Sequence, residues 1–336
     1  MKITSLIRFG CVASTAMLAT SAMAQQLSGA GASFPAPLYQ RWSVEYNKIK
    51  PDVQVNYQSV GSGAGIKQFT AGTVDFGASD AAMKDDQIAK VPKGVVMIPA
   101  TAGIVVLAYN LPGVDGLKLS RDAFTGIYLG KIKKWNDPVI AKENPGVNLP
   151  DLPISVAYRS DGSGTTFVFT QHLSAVSKEF ADEVGADTSV TFPVGVGGKG
   201  NEGVTALIKQ TPGTIGYVEY GYATGNNLQM ATLQNKSGAF VVPADDSGAA
   251  TLAHMELPEN LRAWPVDPTG KEDYPIATFT WLLLYKEYAD ATKLGALKDF
   301  IKWSLTDGQK YAPELGYITL PPEVVTKATA ALDTVK

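Results

Sequence analysis

The chain has 336 residues, 45% of them hydrophobic, with 29 basic side chains against 32 acidic ones and only two histidines. It has no basic tract, which argues against a nucleic-acid partner, and its length and apolar content suffice for a core of its own. Its single cysteine, Cys11, falls inside an N-terminal export signal, so disulfides, thiolate catalysis and cysteine-based metal sites are excluded from the mature protein.

That signal consists of Lys2 and Arg8, an apolar run over residues 9–20 and a small-x-small cleavage site at Ala22-Met23-Ala24. The run is too short for a membrane span. Arg8-Phe9-Gly10 precede Cys11 with no apolar run upstream, which speaks against lipidation there. Cleavage after residue 24 leaves 312 of the 336 residues; without Lys2 and Arg8, 27 basic groups face 32 acidic ones, a net charge of −5. The mature protein is expected to be soluble outside the cytoplasm.

Beyond the signal, strand and helix patterns alternate. Gln26 to Ser28 lead to a glycine turn, then Leu38, Trp42 and Tyr46 recur every four residues on one helical face, ended near Pro51. Residues 53–57 alternate like a strand, 61–65 read as a turn and 66–70 as a short helix. Residues 74–77 are strand-like, 81–88 helical, and 95–98 and 104–109 two strands. Further on, 154–158 is an apolar strand and 165–173 a helix, while 195–200 and the acidic 245–248 read as surface loops. The last segment holds a strand at 281–285 and helices at 294–305 and 323–335. This order predicts an α/β fold with mostly parallel sheets. About 300 residues is long for one core, so two lobes are expected: residues 25–109 plus 275–336, and 110–274, with the chain crossing near 109–112 and 273–276.

Four turns share one design. Gly29-Ala-Gly-Ala-Ser33-Phe34, Gly61-Ser62-Gly63-Ala64-Gly65, Ser79-Asp80 and Arg159-Ser-Asp-Gly-Ser163-Gly164-Thr165 each precede a helix. Small residues let backbone approach a ligand, serine and threonine can cap helices, and helix N-termini carry partial positive charge and unpaired N–H groups. Turns of this kind at the carboxyl ends of strands, converging on one cleft, make an oxyanion site. Asp80 narrows the ligand. An ionised carboxylate only accepts hydrogen bonds, so it favours an oxyanion that keeps a proton, as phosphate does near neutral pH. Sulfate would meet it lone pair to lone pair, at a cost of several kcal/mol. Asp80 reads equally as a helix cap or as a partner for Arg159, whose forked donors could orient it while also reaching the ligand.

Other chemistries find less support. No serine fits G-x-S-x-G, and His172 and His254 lie in contexts that suggest structural or exposed roles, so neither a hydrolytic triad nor a histidine metal site is expected. Phe34 stands where a dinucleotide-binding loop needs its third glycine. Gly200 follows Lys199 where a P-loop needs Ser or Thr. Two alternatives stay open at this level: a receptor for another tetrahedral oxyanion such as sulfate or molybdate, and an extracytoplasmic phosphoryl-ester hydrolase.

The motifs at 29–37, 74–80 and 159–165, with Tyr128-Leu-Gly-Lys-Ile-Lys-Lys-Trp135, Gly197-Gly-Lys-Gly-Asn201 and Gly216-Tyr-Val-Glu-Tyr220, resemble the periplasmic phosphate-binding proteins of phosphate-specific ABC transporters. The resemblance implies the two-lobed, type II periplasmic binding protein fold with two hinge crossings and a ligand held between the lobes. It implies no enzymatic activity and no cofactor or metal. The partners it implies are inorganic phosphate and a membrane permease complex of two transmembrane subunits and an ATPase; a monomer is expected. Carried over by motif, Ser33 supplies a hydroxyl and N–H, Phe34 its N–H and Ser62 a hydroxyl and N–H. Asp80 accepts the phosphate proton, and Arg159 pairs with Asp80 and donates to phosphate. Ser163, Gly164 and Thr165 supply N–H groups and hydroxyls. Ser33 stands where many relatives have Thr, which keeps the hydroxyl.

Overall fold

A computed structural model describes residues 24–336, so all but the last residue of the expected export signal at 1–24 lies outside the described residues. In chain order, β1 (Gln25–Gly31), α1 (Ala36–Ile49), β2 (Val53–Ser59), α2 (Ser62–Thr70), β3 (Phe76–Ser79) and α3 (Asp85–Ile88) lead into the long strand β4 (Val95–Tyr109). Next come β5 (Lys118–Leu119), α4 (Arg121–Tyr128), α5 (Pro138–Ala141), β6 (Ser155–Arg159), α6 (Gly164–Val176), α7 (Lys178–Glu183), β7 (Val196–Gly198) and α8 (Gly200–Gln210). They are followed by β8 (Thr214–Glu219), α9 (Tyr220–Gly225), β9 (Gln229–Met230), β10 (Thr232–Gln234), β11 (Phe240–Val241) and α10 (Asp245–Ala253). The chain closes with β12 (Ala277–Tyr285), α11 (Ala291–Leu305) and α12 (Pro322–Asp333). No helix among the described residues is long and apolar enough to cross a membrane.

The main sheet runs β2-β1-β3-β12-β4-β8-β6-β7, with β9 also on β4; β11-β10-β5 form a small second sheet. Strands β1, β2 and β3 are mutually parallel, as are β6, β7 and β8. The ladders joining these triplets, β3 to β12, β12 to β4 and β4 to β8, are antiparallel. The sheet is therefore mixed rather than mostly parallel, because the C-terminal strand β12 inserts between β3 and β4 where sequence order alone gives no sign of it. Strand β4 pairs with β12 through Ile104 and with β8 from Val105 onward. The directions fixed by these registers turn the carboxyl ends of both parallel triplets toward that point.

Strand β4 continues through Pro99 and Gly103, which read as breaks in the sequence. Its register against β12 shifts there: Thr280 faces Thr101 while Trp281 faces Pro99, leaving Ala100 as the extra residue of a bulge. A bulge is one of the few places where a sheet accepts proline. Other local expectations shift too. Helix α2 starts at Ser62 rather than Ile66, α3 keeps only the last turn of 81–88, residues 245–248 open α10, and 195–200 form β7 and the start of α8.

Aromatic packing anchors both halves of the sheet. Phe69 stacks on Tyr285 at 4.2 Å, Phe169 on Tyr217 at 4.3 Å, and the Trp42 indole donates to the Gly308 carbonyl at 2.7 Å. Helix α2 lies against β1 with glycine on both sides: a Cβ on Gly65 would fall 2.4 Å from the Gly31 Cα and 2.9 Å from the Ala30 oxygen, both backbone atoms. Gly65→Ala is expected to destabilise the protein by ~1–3 kcal/mol through overpacking, read as a lower urea midpoint with an unchanged slope.

Candidate oxyanion site at the meeting of two parallel strand sets

The eight residues singled out by sequence lie at the carboxyl ends of the two triplets, and all are buried. Ser33 and Phe34 follow β1, Ser62 opens α2 after β2, and Asp80 follows β3. Opposite them, Arg159 ends β6, and Ser163, Gly164 and Thr165 open α6. Direct contacts bring the two sets together. The Ser62 hydroxyl accepts from the N–H of Asp80 (3.3 Å) and of Gly164 (3.1 Å), and the Gly63 N–H donates to the Gly162 carbonyl at 2.8 Å. The Ser33 hydroxyl accepts from the Asn201 N–H (3.1 Å) and side-chain amide (2.9 Å). A Cβ on Gly164 would fall 2.5 Å from Ser62 Oγ and 2.7 Å from Asp80 Oδ2, so glycine is required for this approach.

Among the described residues, the backbone N–H groups of Ser33, Phe34, Ser62 and Thr165 carry no acceptor, although Ser33 is 1% exposed and the other three are 0%. Buried N–H groups without partners are rare in folded proteins. Four of them at one place, from three chain segments, define an anion cradle. Their carbonyls show how it is held. Tyr57 donates its hydroxyl to the Ala32 oxygen (2.6 Å), Tyr222 to Ser33 (2.7 Å) and Tyr317 to Phe34 (2.7 Å). With the Ala32 and Ser33 carbonyls tied back, their peptide planes cannot rotate and the N–H groups in those planes, of Ser33 and Phe34, stay aimed into the site, while the Tyr317 bond anchors the following Phe34–Pro35 peptide.

Three expectations are corrected by geometry. Arg159 does not pair with Asp80: its Nε and Nη2 fork onto Asp161 at 2.8 and 2.6 Å, and its Nη1 donates to the Thr165 hydroxyl at 3.3 Å. Asp161 sits two residues along the same turn and offers both carboxylate oxygens in the plane of the fork; it also accepts from the Gly200 N–H at 3.0 Å. The Ser163 N–H is taken by the Thr188 carbonyl at 2.7 Å, while its side chain caps α6 by accepting from Thr166 at 3.0 Å. Ser163 is also the only one of the four turns' residues to cap its helix; α1, α2 and α3 start without a side-chain cap bond, and Asp80 lies well before α3. Asp80 instead accepts from the Thr280 hydroxyl at 2.8 Å.

Sequence reasoning left Asp161, Asn201, Thr280 and the three tyrosines without roles. Asp161 and Asn201 were in view, inside the glycine-rich motifs. The tyrosines and Thr280 come from distant segments and carry no local signal. Of the histidines, His172 is buried in α6 with neither ring nitrogen partnered, and His254 contacts Asp273 at 3.2 Å.

Burial pushes the Asp80 carboxyl up to about 7, against the opposing influence of the Thr280 hydroxyl, the Arg159 charge and the Ser62 hydroxyl. Burial acts on Asp161 as well, but its fork with Arg159 prevails and holds it below the ordinary carboxylate range. The formal charges of Arg159 and Asp161 thus offset each other, and the attraction for an anion comes from N–H dipoles and hydroxyls.

A model of the PBP superfamily domain matches residues 18–308. The phosphate-binding protein PstS of Pasteurella multocida is 45% identical over 316 residues, which is 93% of this chain and 91% of that relative. The chain belongs to the PstS family of phosphate-binding proteins. PstS of Xylella fastidiosa (strain 9a5c) is 43% identical, covering 91% of this chain and 84% of its own length. A phosphate-binding protein from Stenotrophomonas maltophilia, known from a solved structure, matches with a TM-score of 0.73 at 23% identity, over 91% of this chain and 93% of that one. The fold is accordingly the two-lobed type II fold of periplasmic binding proteins.

The Asp80 environment predicts a pH dependence. Below about pH 4 folded and unfolded chains both hold this proton. Between there and about 7 the unfolded chain releases it while the folded one keeps it, so stability falls as pH rises; above about 7 the loss is complete. Asp80→Asn is expected to flatten this slope and raise the melting temperature of ligand-free protein above neutral pH, measured by calorimetric scans from acid to mild alkali.

Proposed function

We propose that this chain is a periplasmic, non-enzymatic phosphate receptor that delivers inorganic phosphate to an ABC importer. The observation that carries this reading is the cradle of four buried, unpaired N–H groups facing a carboxylate, Asp80, that can only accept once ionised. The N–H groups and the hydroxyls of Ser33, Ser62, Ser163 and Thr165 suit the unprotonated oxygens of phosphate, Arg159 adds a charged donor, and Asp80 takes the hydrogen bond of the oxygen that keeps its proton. Neither histidine hydrogen-bonds a serine among the described residues, so no serine–histidine pair is set up for hydrolysis.

The moving units are the lobes 25–109 plus 275–336 and 110–274, with the ligand buried between them. Closure shifts an existing balance of open and closed forms, and the closed form docks on a permease of two transmembrane subunits with its ATPase. The receptor works as a monomer, exported by the signal at residues 1–24.

Calorimetric titration of ligand-stripped protein tests this directly. Phosphate is expected to bind more tightly than sulfate above about pH 7, by a margin that widens roughly tenfold per pH unit, because sulfate must find Asp80 protonated whereas phosphate brings its own proton. Equal competition by sulfate, or steady release of phosphate from esters, would sink the reading. Asp80→Asn, which can donate as well as accept, should narrow the phosphate-to-sulfate ratio. Tyr57→Phe frees the Ala32 carbonyl, which shares a peptide plane with the Ser33 N–H, and is expected to weaken phosphate by ~1–2 kcal/mol, roughly tenfold, without altering that ratio.

A further inference from the structure

We infer that Thr280, a residue of the C-terminal strand β12, sets the anion selectivity of the site: its hydroxyl holds Asp80 Oδ1 and thereby keeps the carboxylate ionised and turned so that Oδ2 meets the ligand as an acceptor. This rests on the phosphate-receptor reading above and assigns a positioning residue to it.

The register of the sheet creates the contact. Strand β12 runs antiparallel to β3 with Leu283 opposite Gly77, Leu282 opposite Ala78 and Trp281 opposite Ser79. One more step sets Thr280 across from Asp80, and the 2.8 Å bond between Thr280 Oγ1 and Asp80 Oδ1 spans that step. On the other edge of β12, the Ala100 bulge of β4 falls opposite the step between Thr280 and Trp281. Both partners are buried, Thr280 at 0% and Asp80 at 1% exposure.

Among the described side chains, Thr280 is the foremost donor to the Asp80 carboxylate, with the Ser62 hydroxyl a weaker second. Its surroundings otherwise disfavour its charge. Arg159 is the one cation facing it and is committed to Asp161, whose negative charge also faces Asp80. Tyr39 from α1, Tyr57 from β2, Glu219 from β8 and Tyr317 from the C-terminal segment complete the titratable groups around it, and none carries positive charge. Burial drives the carboxyl toward its neutral form, and the Thr280 hydroxyl is the foremost influence in the opposite direction. A neutral Asp80 would present an O–H, and an O–H accommodates the bare oxygens of sulfate as readily as an ionised carboxylate accommodates the proton of phosphate. Selectivity between the two anions therefore depends on which form of Asp80 is present, and Thr280 biases that choice by the energy of one hydrogen bond to a charged group.

The experiment is a set of phosphate and sulfate titrations of ligand-stripped wild type, Thr280→Val and Thr280→Ser, from about pH 5 to about pH 9. Valine keeps the branched shape without the donor; serine keeps the donor. Thr280→Val is expected to narrow the phosphate-to-sulfate ratio at least ~10-fold, and to move upward by about one unit the pH at which sulfate binding is half lost. Thr280→Ser is expected to stay within ~3-fold of wild type in both. Should the valine variant not fold, Thr280→Ala carries the same expectation. A valine or alanine variant with wild-type ratio and pH profile, or a serine variant as impaired as valine, overturns the role of Thr280. Wild type that fails to bind phosphate instead overturns the receptor reading on which it stands.

Discussion

The Ser62 hydroxyl accepts one N–H from Asp80, beside it in its own strand triplet, and another from Gly164 at the start of α6 in the opposite triplet. This single oxygen ties the two sides together at a spacing that admits no Cβ on Gly164. At any wider spacing, the N–H groups of Ser33, Phe34 and Ser62 would no longer converge with that of Thr165. Because Arg159 is neutralised by Asp161, long-range attraction cannot compensate for poor alignment. Recognition depends on short hydrogen bonds, which fall off steeply with distance and angle, and so on the close approach at Gly164.

Much of this site was legible in the sequence because its chemistry is local. Clusters of glycine, serine and alanine after an apolar strand announce a backbone-lined turn whatever surrounds them. The Arg159 partner was misread for a related reason: a carboxylate elsewhere in the site seemed available, but a forked guanidinium takes the nearest coplanar pair of oxygens, and those belong to Asp161. The fold shows the opposite limit. Pro99 is a strand breaker by local rule, and only the bulge beside it at Ala100, formed against β12 some 180 residues later in the chain, makes it an interior position of one strand. Thr280 and the tyrosines of the carbonyl brace act through partners 25 to 283 residues away, and no periodicity encodes that.

Three acids, Asp161, Asp80 and Glu219, illustrate how environment divides labour. Asp161 meets the fork and a backbone N–H and stays charged. Asp80 meets the Thr280 hydroxyl and, more weakly, that of Ser62, and sits near its point of half-ionisation around neutrality. Glu219, at the end of β8, accepts one N–H from Gly221 through Oε1, leaves Oε2 unpartnered, and is pushed well above its ordinary range by burial. The same functional group thus serves as counter-ion, as tunable acceptor and as a buried carboxyl that resists ionising, graded by the donors each one meets.

The exchange of partners along β4 has a mechanical meaning. Its ladder with β12 ends at Ile104 and its ladder with β8 begins at Val105, with β9 also on Ala108 and Tyr109, so the sheet carries a crease with rows of hydrogen bonds ending on either side of it. One bond, from the Val105 N–H to the Ile276 carbonyl at 2.9 Å, stitches the two crossing segments together. Rotation about such a crease is absorbed as torsion in two extended strands and tears no ladder. A molecule folded along a crease of this kind can hold its two shapes close in free energy, and a handful of well-aimed hydrogen bonds to one small ion is then enough to decide between them.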